Sequence, residues 1–115
     1  MDDHTLTIKT VRDGPSCALV LSGDLDLSAT DEFLGQAALA IDNQTERLVL
    51  DLAGVTFLDC VGAQALAIAA SFAPSGCPVI IGSLSPRARR ILELMDLYAE
   101  DIRHLLAATG SDPDG

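Results

Sequence analysis

Three short apolar runs, separated along the chain by segments of helical periodicity, constrain the fold of this sequence more than any other feature. The runs lie at residues 17–21, 48–52 and 79–82. Runs of this length with little polar alternation are typical of strands buried on both faces of a parallel sheet. Strands that alternate with helices need crossover connections, so the sequence predicts an α/β protein with a mixed, mainly parallel sheet.

The first part of the chain predicts a hairpin followed by a helix. Residues 5–11 alternate between apolar and polar side chains, and a turn of Arg-Asp-Gly-Pro at 12–15 joins this strand to the first apolar run. Ser28 is a suitable N-cap for the helix, because Asp31 and Glu32 then lie in its first turn, where the helix dipole favours anions.

The second part of the chain completes the order β-β-α-β-α-β-α. Residues 53–59 are predicted to form a loop, and residues 61–73 a helix that is apolar nearly all the way round. Such a helix is either packed within the core or keeps one face for a partner. Ser85 and Pro86 are typical of the start of a third helix. The sequence at 101–108 is compatible with a final short helix.

Length and charge limit the classes of function. The 115 residues suffice for one domain, expected at 1–108 with a disordered tail at 109–115. A net charge of −10 and only four aromatic side chains disfavour binding to nucleic acid or to anionic membranes. The acidic N-terminus and the lack of a membrane-length apolar run predict a cytoplasmic protein, and three irregularly spaced cysteines agree with a reducing compartment.

A search for catalytic and metal-binding motifs predicts neither an enzyme nor a cofactor site. The sequence has no glycine-rich phosphate loop, no C-x-x-C and no H-E-x-x-H. Asp24 and Asp26 would lie on the same side of an extended segment, but turn chemistry explains them about as well as a carboxylate pair. An enzyme or small-ligand protein that uses these two residues with Cys60 is the weakest of the alternatives.

Three segments resemble, in order and spacing, the STAS domain family of anti-sigma factor antagonists. These are LVLSGDLDLSATDEF at 19–33, LVLDLAGVTFLDCVGAQAL at 48–66 and SPRARRILELMDL at 85–97. Together the matches extend over most of residues 5–98. The resemblance implies a STAS fold for the domain at 1–108 and a non-enzymatic role in bacterial transcription regulation by partner switching.

In this family the antagonist binds an anti-sigma factor with kinase activity, which phosphorylates a Ser or Thr in a D-S-[ST]-G motif at the start of the second helix. Asp59 and Gly62 match that motif, but Cys60 replaces the phosphoacceptor and Val61 the next hydroxyl residue. The resemblance therefore implies a docking surface without the usual phosphorylation. The surface centres on the turn at 57–62, and its expected partner-binding residues are Asp24, Asp26, Asp59, Cys60, Val61 and Gly62. The small residues of the second helix are expected to complete it.

Cys60 has two interpretations, and the function has an alternative within the family. The thiol is either a nearly isosteric substitute for serine that is buried or inert, or a redox switch. The second interpretation rests on the helix N-terminus, which lowers the pKa of a thiol and favours its oxidation. The missing phosphoacceptor also fits a STAS subunit of a lipid-trafficking ABC transporter, or a scaffold component. The family's usual strand after the third helix is poorly represented at residues 97–101.

Overall fold

The computed structural model describes residues 5–95, and this range contains four strands, three α-helices and one turn of 3-10 helix. Their order is the predicted β-β-α-β-α-β-α, which confirms the α/β fold class. The strands are β1 (Thr7–Asp13), β2 (Ser16–Leu25), β3 (Arg47–Leu58) and β4 (Val79–Leu84). The helices are α1 (Thr30–Ala40), α2 (Cys60–Ala70) and α3 (Pro86–Met95), and the 3-10 turn is Leu27–Ala29.

The four strands form one mixed sheet in which the spatial order follows the chain order. β1 and β2 are the predicted antiparallel hairpin, and its turn contains Gly14 at a φ of 61°, a conformation that glycine adopts without strain. β2, β3 and β4 are parallel neighbours joined through α1 and α2. The sheet is therefore mainly parallel, as the alternation of strands and helices predicts.

The helices cover one face of this sheet. On β2, Cys17, Leu19 and Leu21 are fully buried, whereas Ala18 and Val20 between them are only partly buried. The fully buried side belongs to a single core that also contains side chains from all three helices, namely Phe33, Ala37, Ala63, Leu66, Ala69, Ala88 and Leu92. The part of the chain from 5 to 95 thus forms two layers, with its helices on the face that carries Leu19.

β3 is longer than the sequence indicates, and this difference brings two loops together. The loop predicted at residues 53–59 is wrong, because β3 continues to Leu58. The added residues pair with the end of β2, where Asp24 lies opposite Phe57 and Leu25 opposite Leu58. Two register shifts in the pairing of β2 with β3 accommodate the irregular apolar pattern of this segment. The periodicity of a single strand does not reveal such pairing, so the sequence did not indicate that β3 continues to Leu58.

The start of α1 also differs from the prediction, while that of α3 agrees with it. Ser28 is not the N-cap of α1, because Ala29 occupies that position and makes no side-chain capping bond. Asp26 instead caps the 3-10 turn: its Oδ1 accepts hydrogen bonds from the Ser28 N–H at 3.0 Å and from the Ser28 hydroxyl at 2.7 Å. The chain then passes through the 3-10 turn, and α1 begins at Thr30. At α3, the Ser85 hydroxyl accepts from the N–H of Ala88 at 3.1 Å, as expected of an N-cap.

Arg12 joins the hairpin to the end of α1, at the opposite end of the sheet from the start of α2. Its Nη2 donates to the Ala40 carbonyl at 2.9 Å and to the Thr45 hydroxyl at 3.2 Å, and lies 3.4 Å from Asp42 Oδ2. The pKa of Asp42 is lowered, chiefly because the Gln44 N–H donates to its carboxylate, with smaller contributions from Thr45 and Arg12. This network fixes the hairpin against the helix layer.

Several predictions concern residues outside the described range of 5–95. They are the final helix at 101–108, the disordered tail at 109–115, the weak strand at 97–101 and the domain boundary at 108. All of them stay predictions.

Candidate protein-docking surface

The candidate surface lies where β2 and β3 end side by side. Because Leu25 pairs with Leu58, the 3-10 turn after β2 lies next to the start of α2 after β3. Loops at the carboxyl ends of parallel strands are where α/β proteins gather their binding residues. Here this edge of the sheet brings together all six predicted site residues, which come from two segments more than thirty positions apart.

Asp59 connects these two segments through both oxygens of its carboxylate. As the N-cap of α2, it accepts a hydrogen bond at Oδ1 from the N–H of Gly62 at 2.7 Å. Its Oδ2 accepts a second hydrogen bond from the N–H of Leu27 at 3.1 Å, and its own N–H donates to the Leu25 carbonyl at 3.4 Å. A single side chain therefore holds the 3-10 turn against the start of α2.

Gly62 allows this close approach of helix and strand. A Cβ atom at this position would overlap the carbonyl oxygen of Leu25 and lie 2.8 Å from its carbonyl carbon. Real Cβ atoms essentially never approach another heavy atom so closely. Gly62 thus permits a close backbone approach, and the approaching backbone is the chain's own.

Asp24 and Asp26 are half-buried beside the 3-10 turn. Asp24 Oδ1 accepts a hydrogen bond from the Thr56 hydroxyl at 3.0 Å, whereas Asp26 caps the turn through Ser28. Both line a cavity of about 300 Å³ together with Glu32, as alternation along an extended segment predicts. Within residues 5–95 no cluster of three or more metal-ligating side chains is present.

Cys60 is the first residue of α2, and its thiol is exposed and free. Exposure excludes the interpretation that it is buried, but not the interpretation that it is an inert substitute for serine. Cys17 differs, since it lies within the core and burial raises the pKa of its thiol. Cys60 and Val61 occupy the first turn of α2, where backbone N–H groups lack intrahelical partners.

The exposed face of α2 is not the one expected from its small residues. Most of the alanines of α2 are buried in the core, so the expectation that they complete the docking surface is wrong. The exposed apolar side chains of the helix and its C-terminal end are instead Val61 (40 % exposed), Ile68 and Phe72. Their spacing of seven and four residues places them on one side of the helix.

The surface continues across the 3-10 turn. Leu27 is 69 % exposed in the 3-10 turn beside the start of α2. Phe57 is exposed at the end of β3, but its pairing with Asp24 places it on the face of the sheet opposite the buried Leu25 and Leu58. Sequence reasoning missed Leu27, Ile68 and Phe72, although the helical spacing of the last two with Val61 was a usable signal. Leu27 gave no such signal, because a leucine between Asp26 and Ser28 reads equally well as the first core residue of a helix. We refer to Leu27, Val61, Ile68 and Phe72 as the apolar surface.

None of the helices within residues 5–95 combines the length and apolar character needed to cross a membrane.

Comparison with solved structures supports the architecture. An anti-sigma factor antagonist from Mycobacterium paratuberculosis superimposes with a TM-score of 0.74 at 21 % sequence identity, over 84 % of this chain and 82 % of that one. The anti-sigma factor antagonist SpoIIAA in its unphosphorylated form gives a TM-score of 0.68 at 16 % identity, over 79 % and 82 %. At these identities the similarity establishes the fold.

Comparison with family models establishes the family. No curated protein matches the sequence significantly. The model described as "Mlab, STAS domain" matches residues 8–106, which is most of the chain and includes every candidate site residue. The resemblance inferred from the three sequence segments is thereby confirmed, and the chain belongs to the STAS domain family.

Proposed function

We propose that this protein is an anti-sigma factor antagonist that binds a kinase-type anti-sigma factor through the apolar surface and the carboxylates beside it. One observation carries the proposal: Asp59 holds the 3-10 turn against α2, so that exposed Leu27 and Val61 lie on adjoining segments. Membership in the STAS family and the shared fold with two anti-sigma factor antagonists support the same role. The protein acts by binding, not as an enzyme, and works in the cytoplasm.

The chemistry of the surface supports a protein partner. Exposed aromatic and aliphatic side chains at the centre of a patch are typical of interface hot spots. Three carboxylates line the cavity beside the 3-10 turn, and no basic side chain of the described residues lines it. Asp24, Asp26 and Glu32 therefore favour a partner that presents basic side chains.

Release of the partner does not use a phosphate on residue 60. A thiol is not a substrate for an ordinary Ser/Thr kinase, and Val61 has no hydroxyl group. After incubation with the anti-sigma factor and ATP, we expect mass spectrometry to find no phosphate on Cys60. A phosphorylated peptide that maps to this residue would refute this part of the proposal.

Binding is tested by titrating each kinase-type anti-sigma factor of the source organism against the full chain in a calorimeter. Val61→Asp places a charge on the apolar surface, and we expect it to weaken binding about 30-fold or more. An acidic residue in the first turn of a helix is compatible with the fold. Leu39→Asp is the matched control, because Leu39 is 87 % exposed on α1 and lies outside the apolar surface. Equal losses in both variants, or no binding by the wild type, would refute the proposal.

The absence of a hydroxyl at residue 60 favours a second candidate function. A STAS subunit of a lipid-trafficking ABC transporter, or a scaffold component, needs no phosphoacceptor. Affinity purification of the tagged full chain distinguishes the two candidates. Recovery of a transporter ATPase instead of an anti-sigma factor would decide for the second.

The exposed thiol of Cys60 supports redox control as a separate hypothesis. Hydrogen peroxide would oxidise the exposed thiol to a sulfenic acid and would itself be reduced to water. The sulfenic acid places a polar oxygen at the start of α2. Mild peroxide should then change partner affinity in the wild type but not in Cys60→Ser. Equal responses in the two proteins would favour the inert interpretation.

A further inference from the structure

The backbone N–H groups of the 3-10 turn are satisfied in different ways. Those of Ser28 and Ala29 donate to Asp26, within the turn's own segment. That of Leu27 donates instead to Asp59 Oδ2, 32 positions further along the chain. The Leu27 carbonyl also accepts a hydrogen bond from the Thr30 hydroxyl, within the same segment. Among residues 5–95, the bond to Asp59 is thus the hydrogen bond that links Leu27, which carries the most exposed side chain of the apolar surface, to α2.

We propose that Asp59 is a positioning residue for partner recognition: its second carboxylate oxygen fixes Leu27 beside the start of α2. This inference rests on the proposed function, because it assigns a role within the same surface. Without the bond, the turn keeps its internal hydrogen bonds to Asp26 but loses the hydrogen bond that joins Leu27 to the start of the helix. Leu27 would then have to be ordered when the partner binds, which weakens affinity.

The two oxygens of Asp59 allow this role to be separated from helix capping. A cap needs one acceptor, and asparagine is about as good an N-cap as aspartate. An asparagine at this position has one acceptor oxygen and an amide group that can only donate. Asp59→Asn can therefore satisfy the N–H of Gly62 or that of Leu27, but not both. If the asparagine oxygen keeps the capping bond to Gly62, the Leu27 N–H lies opposite the amide NH₂ group. Two donors cannot form a hydrogen bond, so Leu27 is no longer attached to residue 59.

Asp31→Asn is the matched control. It removes the same charge from an exposed aspartate in the first turn of α1, and among the described residues Asp31 makes no side-chain hydrogen bond. Any effect of the lower net charge on partner binding should appear equally in both variants. The difference between the variants then reports the lost acceptor alone.

The first measurement needs no partner. Amide hydrogen exchange of the full chain is followed by NMR, together with the urea midpoint of unfolding. In Asp59→Asn we expect the Leu27 amide to exchange about tenfold faster than in the wild type, as for the loss of one hydrogen bond. The Gly62 amide and the urea midpoint should stay close to their values in Asp31→Asn. Unchanged exchange at Leu27, or loss of protection at both amides with a lower midpoint, would overturn the inference.

The second measurement is the Kd for the anti-sigma factor that binds the wild type. We expect Asp59→Asn to weaken it about tenfold relative to Asp31→Asn. Faster exchange at Leu27 with an unchanged Kd would overturn the positioning role while leaving the proposed function intact. If the wild type binds no anti-sigma factor, the proposed function fails and the role in recognition fails with it, whereas the exchange result still decides whether Asp59 fixes the turn.

Discussion

Gly62→Ala tests whether the contact between α2 and the end of β2 controls the stability of the site. The new Cβ would lie 2.8 Å from the carbonyl carbon of Leu25 and overlap its oxygen. Both groups are backbone, so no side-chain rotation relieves the overlap. The start of α2 would have to move away by about 1 Å to restore ordinary van der Waals separation. The 3.4 Å hydrogen bond from Asp59 N–H to Leu25 would be lost.

The expected magnitude follows from three contributions. Overpacking at a rigid contact costs about 1–3 kcal/mol, and the lost hydrogen bond about 1 kcal/mol. Alanine offsets at most about 1 kcal/mol through its higher helix propensity. The free energy of unfolding should therefore fall by about 1–3 kcal/mol, which lowers Tm by about 4–8 °C for each kcal/mol in a domain of this size.

Gly35→Ala is the control, because it makes the same substitution in α1. Nothing lies within 4 Å of the Cβ position at Gly35, and its φ is not positive. This variant should be more stable than the wild type by about 0.5–1 kcal/mol. Urea unfolding followed by far-UV circular dichroism measures both variants. If Gly62→Ala is as stable as Gly35→Ala, the close contact does not exist in solution and the reasoning is refuted.

Three further predictions concern stability and reactivity. Arg12→Ala should lower the free energy of unfolding by about 1 kcal/mol through loss of its bond to the Ala40 carbonyl; urea unfolding with no change in midpoint would contradict this. The pKa of Asp42 is lower in the folded protein than its ordinary value of 3.8. The stabilisation that Asp42 contributes is therefore complete above about pH 3.8 and disappears as the pH falls through the lowered pKa. Between pH 5 and pH 2, the urea midpoint of Asp42→Asn should thus fall less steeply with pH than that of the wild type. Identical slopes of midpoint against pH in the two proteins would rule this out. Cys60 should react first with a thiol reagent and Cys17 last, and mass spectrometry that finds the reverse order would contradict the burial described here.

The fold followed from the sequence because its strongest signals are local. The apolar runs at 17–21, 48–52 and 79–82 lie within β2, β3 and β4. The expectation that both faces of these strands are buried is wrong, because the helices cover one face and Ala18 and Val20 on the other face are only partly buried. Ser85 caps α3 as predicted because the N-cap motif needs only neighbouring residues.

The details of the site depended on contacts between distant segments, which periodicity does not contain. β3 reaches Leu58 because it pairs with β2, although Gly54 and Thr56 resemble loop residues in isolation. Ser28 lies within a 3-10 turn that Asp26 caps, instead of capping α1, because β2 ends at Leu25 and the turn begins at Leu27. The exposure of Leu27 likewise follows from how the turn is attached to Asp59, and not from its neighbours in sequence.

The separation of Leu27 and Asp59 by 32 positions has a consequence for what a partner can detect. No continuous peptide cut from this chain contains the two segments in their native relation unless it also contains α1 and β3 and folds around them. A partner that recognises the assembled surface consequently responds to the concentration of native molecules rather than to the total amount of chain. Such a partner would not bind nascent or heat-unfolded copies, so recognition itself would select the folded protein.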